Sequence, residues 1–300
     1  MKIKKILFTG IIFMGCFHFS ISQNLLEILE NEQKDTLGYI TPAFKMTRIT
    51  FGHSTEVRSK NILEVFVANR FWDLPSEQSQ SFGADRMSTR FALEYGISDR
   101  LSFGVGATTF DRLWDSYLKY NLVTQKKGEK ATPFNITLLQ SGSYNSSSRP
   151  YSLVVNDFSG RLSFTTQLLI SRKISSDFSF QISPTFIHRG FAASEADDQN
   201  FFAMGFGARY KIGPHLSIVS EYYKTFNPIK SFDTYGPFAL GVNWEVGDVL
   251  LQFMLTNTRN MVEDTFITQT RNNFNFRNPN LNFGFNATYV IHFSNRLKKK

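Results

Sequence analysis

Eight charged side chains, Glu64, Arg90, Glu94, Lys119, Arg161, Arg209, Glu221 and Glu245, fall in stretches where apolar and polar residues alternate, each on the polar side. Four acids set against four bases in one register can do one of two things. They can neutralise one another as an ion-pair network, because unpaired charges in a confined interior are costly. Alternatively they can line a passage and select the solutes that enter it. Lys119, Arg90 and Glu221 fall near the middle of their stretches, where a passage would be narrowest. Glu94, Glu245 and Arg209 lie nearer one mouth.

Other chemistry finds few residues to use. His18, His53, His188, His215 and His292 are dispersed, with no zinc-ligand spacing, and no cofactor motif occurs. Asp197-Asp198 lacks the several spaced oxygen ligands of a calcium loop. Gly104-Val105-Gly106 and Gly205-Phe206-Gly207 sit inside the alternation with no helix after them, so they read as small inward residues rather than phosphate loops. A lipid-cleaving enzyme would need a nucleophile beside His188, yet its expected neighbours are Phe158, Gly160, Leu162, Asn200 and Phe202. The chain reads as a non-enzyme.

The alternation itself sets the architecture. Met87, Thr89, Phe91, Leu93 and Tyr95 interleave with Ser88, Arg90, Ala92 and Glu94, and Phe178, Phe180, Ile182, Pro184 and Phe186 with Ser179, Gln181, Ser183 and Thr185. Period two puts each set on one face of a strand. The stretches run to about ten residues, the length a transmembrane β-strand needs and longer than the usual soluble strand. Strands are expected near 61–71, 86–95, 101–110, 114–124, 133–145, 158–172, 178–189, 201–211, 215–225, 237–246, 249–258 and 280–293. Short connections mostly alternate with long ones, the opposite face is rich in Gly, Ser, Thr and Asn, and aromatics such as Tyr95, Tyr210, Trp244 and Phe293 stand at strand ends.

Those three features favour a membrane barrel over a soluble sandwich. The fold class is therefore all-β: a transmembrane antiparallel up-and-down β-barrel of about 12 strands. Phe103, Phe164, Phe180, Phe206 and Phe285 should face outer-membrane lipid, and Gln167, Gln181 and Asn286 should face inward. Phe44 to Phe51 fits either an extra strand or a segment folded into the barrel.

Composition agrees. Phe contributes 32 residues, against 11 Tyr and 3 Trp, while charged residues make only 19%, which excludes disorder. No 18-residue apolar run follows the N-terminus, which excludes membrane helices. Lys2, Lys4 and Lys5 precede an uncharged apolar stretch from Ile6 to Phe19, and Ser20-Ile21-Ser22 supplies small residues for cleavage before Gln23. Residues 1–22 thus read as a secretory signal, and lipoprotein processing at Cys16 fits poorly beside Phe13 and Phe17. Residues 23–43 read as an N-terminal periplasmic segment, helix-like over Gln23 to Asp35, followed by the barrel at 44–293 and a basic tail at 294–300. Of the net charge of +8, the signal and the tail carry almost all, so the body has no basic face for nucleic acid.

Three groups of residues carry a family resemblance. They are Phe44-Lys45-Met46-Thr47-Arg48-Ile49 with Gly52-His53-Ser54; Leu93-Glu94-Tyr95-Gly96-Ile97-Ser98-Asp99-Arg100-Leu101; and Thr256-Asn257-Thr258-Arg259, Met261, Phe266-Ile267-Thr268 and Asn282-Phe283-Gly284-Phe285. Together they resemble a Bacteroidota outer-membrane β-barrel family, a domain of unknown function. The resemblance implies a fold and a compartment, the outer membrane of a Gram-negative bacterium, and no catalytic residues. The closing alternation from Leu281 to Phe293 also resembles the terminal strand read by the barrel-assembly machinery, although Ser294 to Lys300 follow the final aromatic. The expected function is a narrow channel or transporter for small polar solutes. A non-conducting barrel that binds through its outer loops is the alternative, and a lipid-acting enzyme the third reading.

Overall fold

The computed structural model describes residues 40–293 apart from 73–84, 129–130, 148–157, 191, 193, 195 and 275–280. The expected signal, the helix-like stretch at 23–35 and the basic tail lie outside the described residues.

Strict alternation produces strands, and there are twelve: β1 (Ile62–Trp72), β2 (Arg86–Gly96), β3 (Leu101–Thr108), β4 (Leu113–Val123), β5 (Asn135–Asn145), β6 (Leu162–Lys173), β7 (Phe178–Arg189), β8 (Asn200–Lys211), β9 (Leu216–Thr225), β10 (Phe238–Val246), β11 (Val249–Thr256) and β12 (Asn282–His292). Each pairs antiparallel with its neighbours in sequence, and β1 pairs with β12 from Ile62↔His292 to Phe71↔Phe283, closing the barrel. Closure leaves no sheet edge unpaired, which a lipid environment requires. No helix among the described residues is long and apolar enough to cross a membrane.

β4 shows the rule at residue level. Leu113, Asp115, Tyr117, Lys119 and Asn121 are buried inside, and Trp114, Ser116, Leu118, Tyr120 and Leu122 are exposed outside. Phe103, Phe164 and Phe206 lie on the outer face with Phe180 and Phe285 half-exposed, and Gln167, Gln181 and Asn286 are buried within. One barrel end holds Ile62, His292 and mostly short turns, with 124–134 the longer exception; the other holds mostly long loops, with 109–112 the short exception.

Two boundaries differ from the alternation pattern in a way that matters. β6 begins at Leu162 rather than near 158, because Ser159–Arg161 form a 3-10 turn. Arg161 is thereby taken out of the strand register: its guanidinium donates to the Asn145 carbonyl at 3.1 Å and the Ser147 carbonyl at 2.9 Å. The stretch from Phe44 to Phe51 is no thirteenth strand of the wall. It folds into the barrel, and Phe44, Met46, Ile49 and Phe51 are each at most 2% exposed. Between β11 and β12 the chain also turns inward, forming a short helix, α1 (Glu263–Thr268), buried along its whole length.

Candidate functional site

The barrel interior is occupied by the chain's own residues 43–58, reaching in from the short-turn end. Arg48 and His53 pair as a bridge, Ile49 N–H donates to the Gly52 carbonyl at 2.9 Å, and Ser54 N–H to the Thr47 carbonyl at 2.9 Å. These bonds make a tight hairpin with its tip at 49–52. A buried hairpin tip leaves backbone N–H and C=O groups that must find partners. The barrel wall supplies them.

Glu221 on β9 is the principal seat. Its Oε2 accepts the N–H groups of Thr50, Phe51 and Gly52 at 3.0, 3.1 and 3.1 Å and the Thr50 hydroxyl at 2.6 Å. Successive amides converging on one carboxylate form an anion nest. Gly52 favours this close approach, since a Cβ there would lie 2.3 Å from Glu221 Oε1 and force the carboxylate to shift. The tip carbonyls are met in turn: Gln252 Nε2 donates to the Ile49 carbonyl at 2.6 Å and Asn286 Nδ2 to the Thr50 carbonyl at 3.0 Å. Along the hairpin's return, Gln181 donates to the His53 carbonyl at 2.8 Å and accepts from Thr55 N–H at 3.0 Å. Thr55 also meets Thr137 and Ser171, the latter hydroxyl to hydroxyl at 2.6 Å.

The remaining charged wall residues mostly hold the hairpin or each other's surroundings. Lys119 Nζ donates to the Thr47 carbonyl at 3.2 Å and to the Glu56 carbonyl. Glu64 accepts from the Thr47 hydroxyl at 2.7 Å and pairs with Arg58. Glu245 pairs with Lys45 at the short-turn mouth. Glu94 accepts from Ser102 at 2.6 Å and Tyr117 at 3.0 Å, and Arg209 donates to Ser217 at 3.2 Å. Arg90 pairs through both guanidinium nitrogens with Asp115, the second contact at 2.6 Å, reaching across β3. Gly106 leaves that path clear, because a Cβ there would meet Arg90 at 2.5 Å.

The expected acid–base set therefore does not pair internally. Its ion-pair partners are Lys45, Arg58 and Asp115, and none of these three stands out by spacing alone. Asp115 shares the period-two register of Lys119, a signal that was available. Arg70, inward on β1 in register with Glu64, carried the same signal.

From the long-loop end α1 descends to meet the hairpin. Glu263 Oε1 lies 3.2 Å from Arg48 Nη1 and 3.2 Å from His53 Nε2. Phe266 packs against Phe51 with ring centroids 4.8 Å apart and against Tyr223 at 5.5 Å. Ile187, Phe201, Met254 and Ile267 complete an apolar cluster around them. Hairpin and loop thus meet inside the barrel, one entering from each end.

Burial at this meeting point moves protons in opposite senses. Burial, with Arg48 beside it, lowers His53 to about 4 against the pull of Glu263, so the imidazole is neutral at neutral pH. Burial alone would raise Glu263, but His53 and Arg48 beside it hold its carboxyl well below the usual carboxylate range. Glu56, by contrast, is raised by burial to about 7. A hydrated imidazole takes up its proton near pH 6.5, so the docked hairpin loses His53's contribution as pH falls from there to about 4. Glu56 has the opposite sign: its contribution is present at acid pH and is lost as pH rises through about 7. Hydrogen exchange of the hairpin amides at pH 5 and pH 7 checks both signs. His53→Gln should make acidification release the hairpin less than in wild type, and Glu56→Gln should make it release the hairpin more.

The family described as "Membrane bound beta barrel domain (DUF5777)" matches residues 44–291, hairpin included. The chain belongs to this family. It is a membrane-bound β-barrel. No curated protein matches the sequence. Similar solved structures include the NanC porin, 10% identical, the match covering 77% of this chain and 100% of that one at a TM-score of 0.49. The KdgM porin is 8% identical over 77% and 99%, at a TM-score of 0.46. An outer membrane channel from Pseudomonas putida F1 is 13% identical over 78% and 96%, at a TM-score of 0.42.

Proposed function

We propose that the protein is a gated, narrow passage for small polar solutes in the outer membrane of a Gram-negative bacterium, with the 43–58 hairpin as its gate. On this reading residues 1–22 are the cleaved signal, the short-turn end faces the periplasm, and the barrel-assembly machinery inserts the chain. The observation that carries the proposal is the attachment of the hairpin tip to Glu221, Gln252 and Asn286 by reversible hydrogen bonds to polar wall residues. A wall of Glu, Gln, Asn, Ser and Thr can exchange those bonds for water when the hairpin leaves. Twelve strands lie between barrels filled by side chains and the wide porins, so an emptied lumen is narrow.

The geometry at His188 lends lipid hydrolysis no support. His188 Nδ1 engages Asn200 Oδ1 at 2.8 Å, and among the described residues no nucleophile pairs with it. One observation favours the non-conducting alternative: the cluster of Phe51, Tyr223, Phe266 and Ile267 packs like a core.

Liposome swelling with a neutral pentose separates the two. Glu221→Ala removes a carboxylate that accepts four bonds from the hairpin, each charge-assisted bond contributing about 1.5–3 kcal/mol, so the undocked fraction should rise by roughly tenfold or more. The expected result is faster swelling than wild type. No swelling with either protein would favour the non-conducting barrel.

A further inference from the structure

At the long-loop end, inside the corner formed by β1, β2 and β12, several buried donors have no acceptor among the described residues. They are Arg70 Nε, Trp72 Nε1, Asn282 Nδ2 and Arg259 Nε, with the hydroxyls of Ser88 and Thr258 equally unpartnered. Arg70, Trp72, Ser88, Thr258 and Asn282 are each no more than 2% exposed. The register brings them together: Arg70 faces Ser88 on β2 and Gly284 on β12, Trp72 is the next inward residue along β1, and Asn282 faces Thr256. Arg259, from the segment after β11, lies over the Trp72 ring at 5.0 Å.

The charges are as unmatched as the donors. Arg70 Nη1 reaches only neutral oxygens, Asn286 Oδ1 at 2.8 Å and the Asn69 carbonyl at 2.9 Å. Among the described residues neither Arg70 nor Arg259 has an ion-pair partner. Arg86 and Arg271 lie close enough to Arg259 to repel it. Glu221, the acid that acts on Arg70 from a distance, is committed to the hairpin.

Buried N–H groups without acceptors are rare and costly, and four in one corner call for a common acceptor. Water would satisfy donors but would leave two guanidinium charges uncompensated. We propose that this corner binds an oxyanion-bearing solute, a carboxylate or a phosphate, at the outer mouth of the barrel. Guanidinium forks match the planar or tetrahedral oxygens of such groups, and the indole N–H and Asn282 amide add neutral donors. The site gives the passage proposed above a preferred solute class, anions, while neutral solutes small enough to fit still pass, and it rests on that reading for its place in transport.

Isothermal titration of the folded, detergent-solubilised full chain with sodium citrate and, separately, sodium pyrophosphate tests binding without reference to conduction. At least one anion should bind, with affinity that falls as sodium chloride is added. Binding should weaken by roughly tenfold or more in Arg259→Gln and in Arg70→Gln, as expected for loss of a charge-assisted contact. Arg259 lies on a loop, so its variant carries the test if Arg70→Gln fails to fold. Lys211→Gln, at the opposite end, should bind like wild type. Citrate alone identifies carboxylates, pyrophosphate alone identifies phosphates, and both together identify oxyanions generally. No binding of either anion, or wild-type affinity in Arg259→Gln, overturns the proposal. Bilayer recordings on the same preparation keep the two claims apart: binding without conductance refutes the passage, and conductance without binding refutes the site.

Discussion

Replacing residues 44–58 with a Gly-Ser linker should turn a mostly closed barrel into a conducting one. The expected rise in mean conductance across a planar bilayer is roughly tenfold or more, because solute flow then depends on lumen width rather than on a rare undocked state. The hairpin provides Phe44, Met46, Ile49 and Phe51 to the interior, and its amides occupy the one carboxylate that projects from β9 into the lumen. The linker cannot reproduce either contribution, being flexible and without side chains to bury. The barrel itself should persist, since its closure rests on the β1–β12 ladder and not on the hairpin. Conductance unchanged by the replacement would mean that α1 alone closes the lumen.

The second large effect concerns stability. Arg90 and Asp115 are both buried and bound through two contacts across β3. Arg90→Met leaves the Asp115 charge without compensation and should cost about 3–5 kcal/mol in reversible urea unfolding from lipid. Asp115→Leu in addition removes the stranded charge, so the double variant should recover most of that loss, a strong non-additivity. Simple addition of two losses would mean the pair is not the unit it looks to be.

The wall was legible because period two is a local signal. Each inward residue of β4 can be found from the identity of its neighbours two positions away, with no knowledge of the rest of the chain. The hairpin had no such signal. Beyond the exposed Lys45 both its faces are buried, so Thr47 and Arg48 stand among Phe44, Met46 and Ile49 without a clean alternation. Its defining contact, Thr50 to Glu221, joins residues 171 positions apart. α1 spans six residues, fewer than two helical turns, too short for a 3.6 period to show. The charge set is only partly legible for the same reason. Four acids and four bases suggested mutual pairing, but Lys119 and Glu221 are satisfied by backbone groups of a segment that sequence could place only as a strand or an insert. Gln181, expected to face inward, does so and exchanges two hydrogen bonds with the hairpin.

Thr55 and Ser171 offer the most direct test of the gate. Their hydroxyls lie 2.6 Å apart, so Thr55→Cys with Ser171→Cys brings two thiols within reach of a disulfide, and Cys16, the one native cysteine, lies in the expected signal segment. Single-channel recording of this variant, oxidised and then reduced in the same bilayer, isolates hairpin movement from every other change. A gate that must leave its seat predicts silence when the disulfide is formed and openings when it is broken. Equal conductance in both states would contradict the account, since solutes would then be passing a hairpin that cannot move.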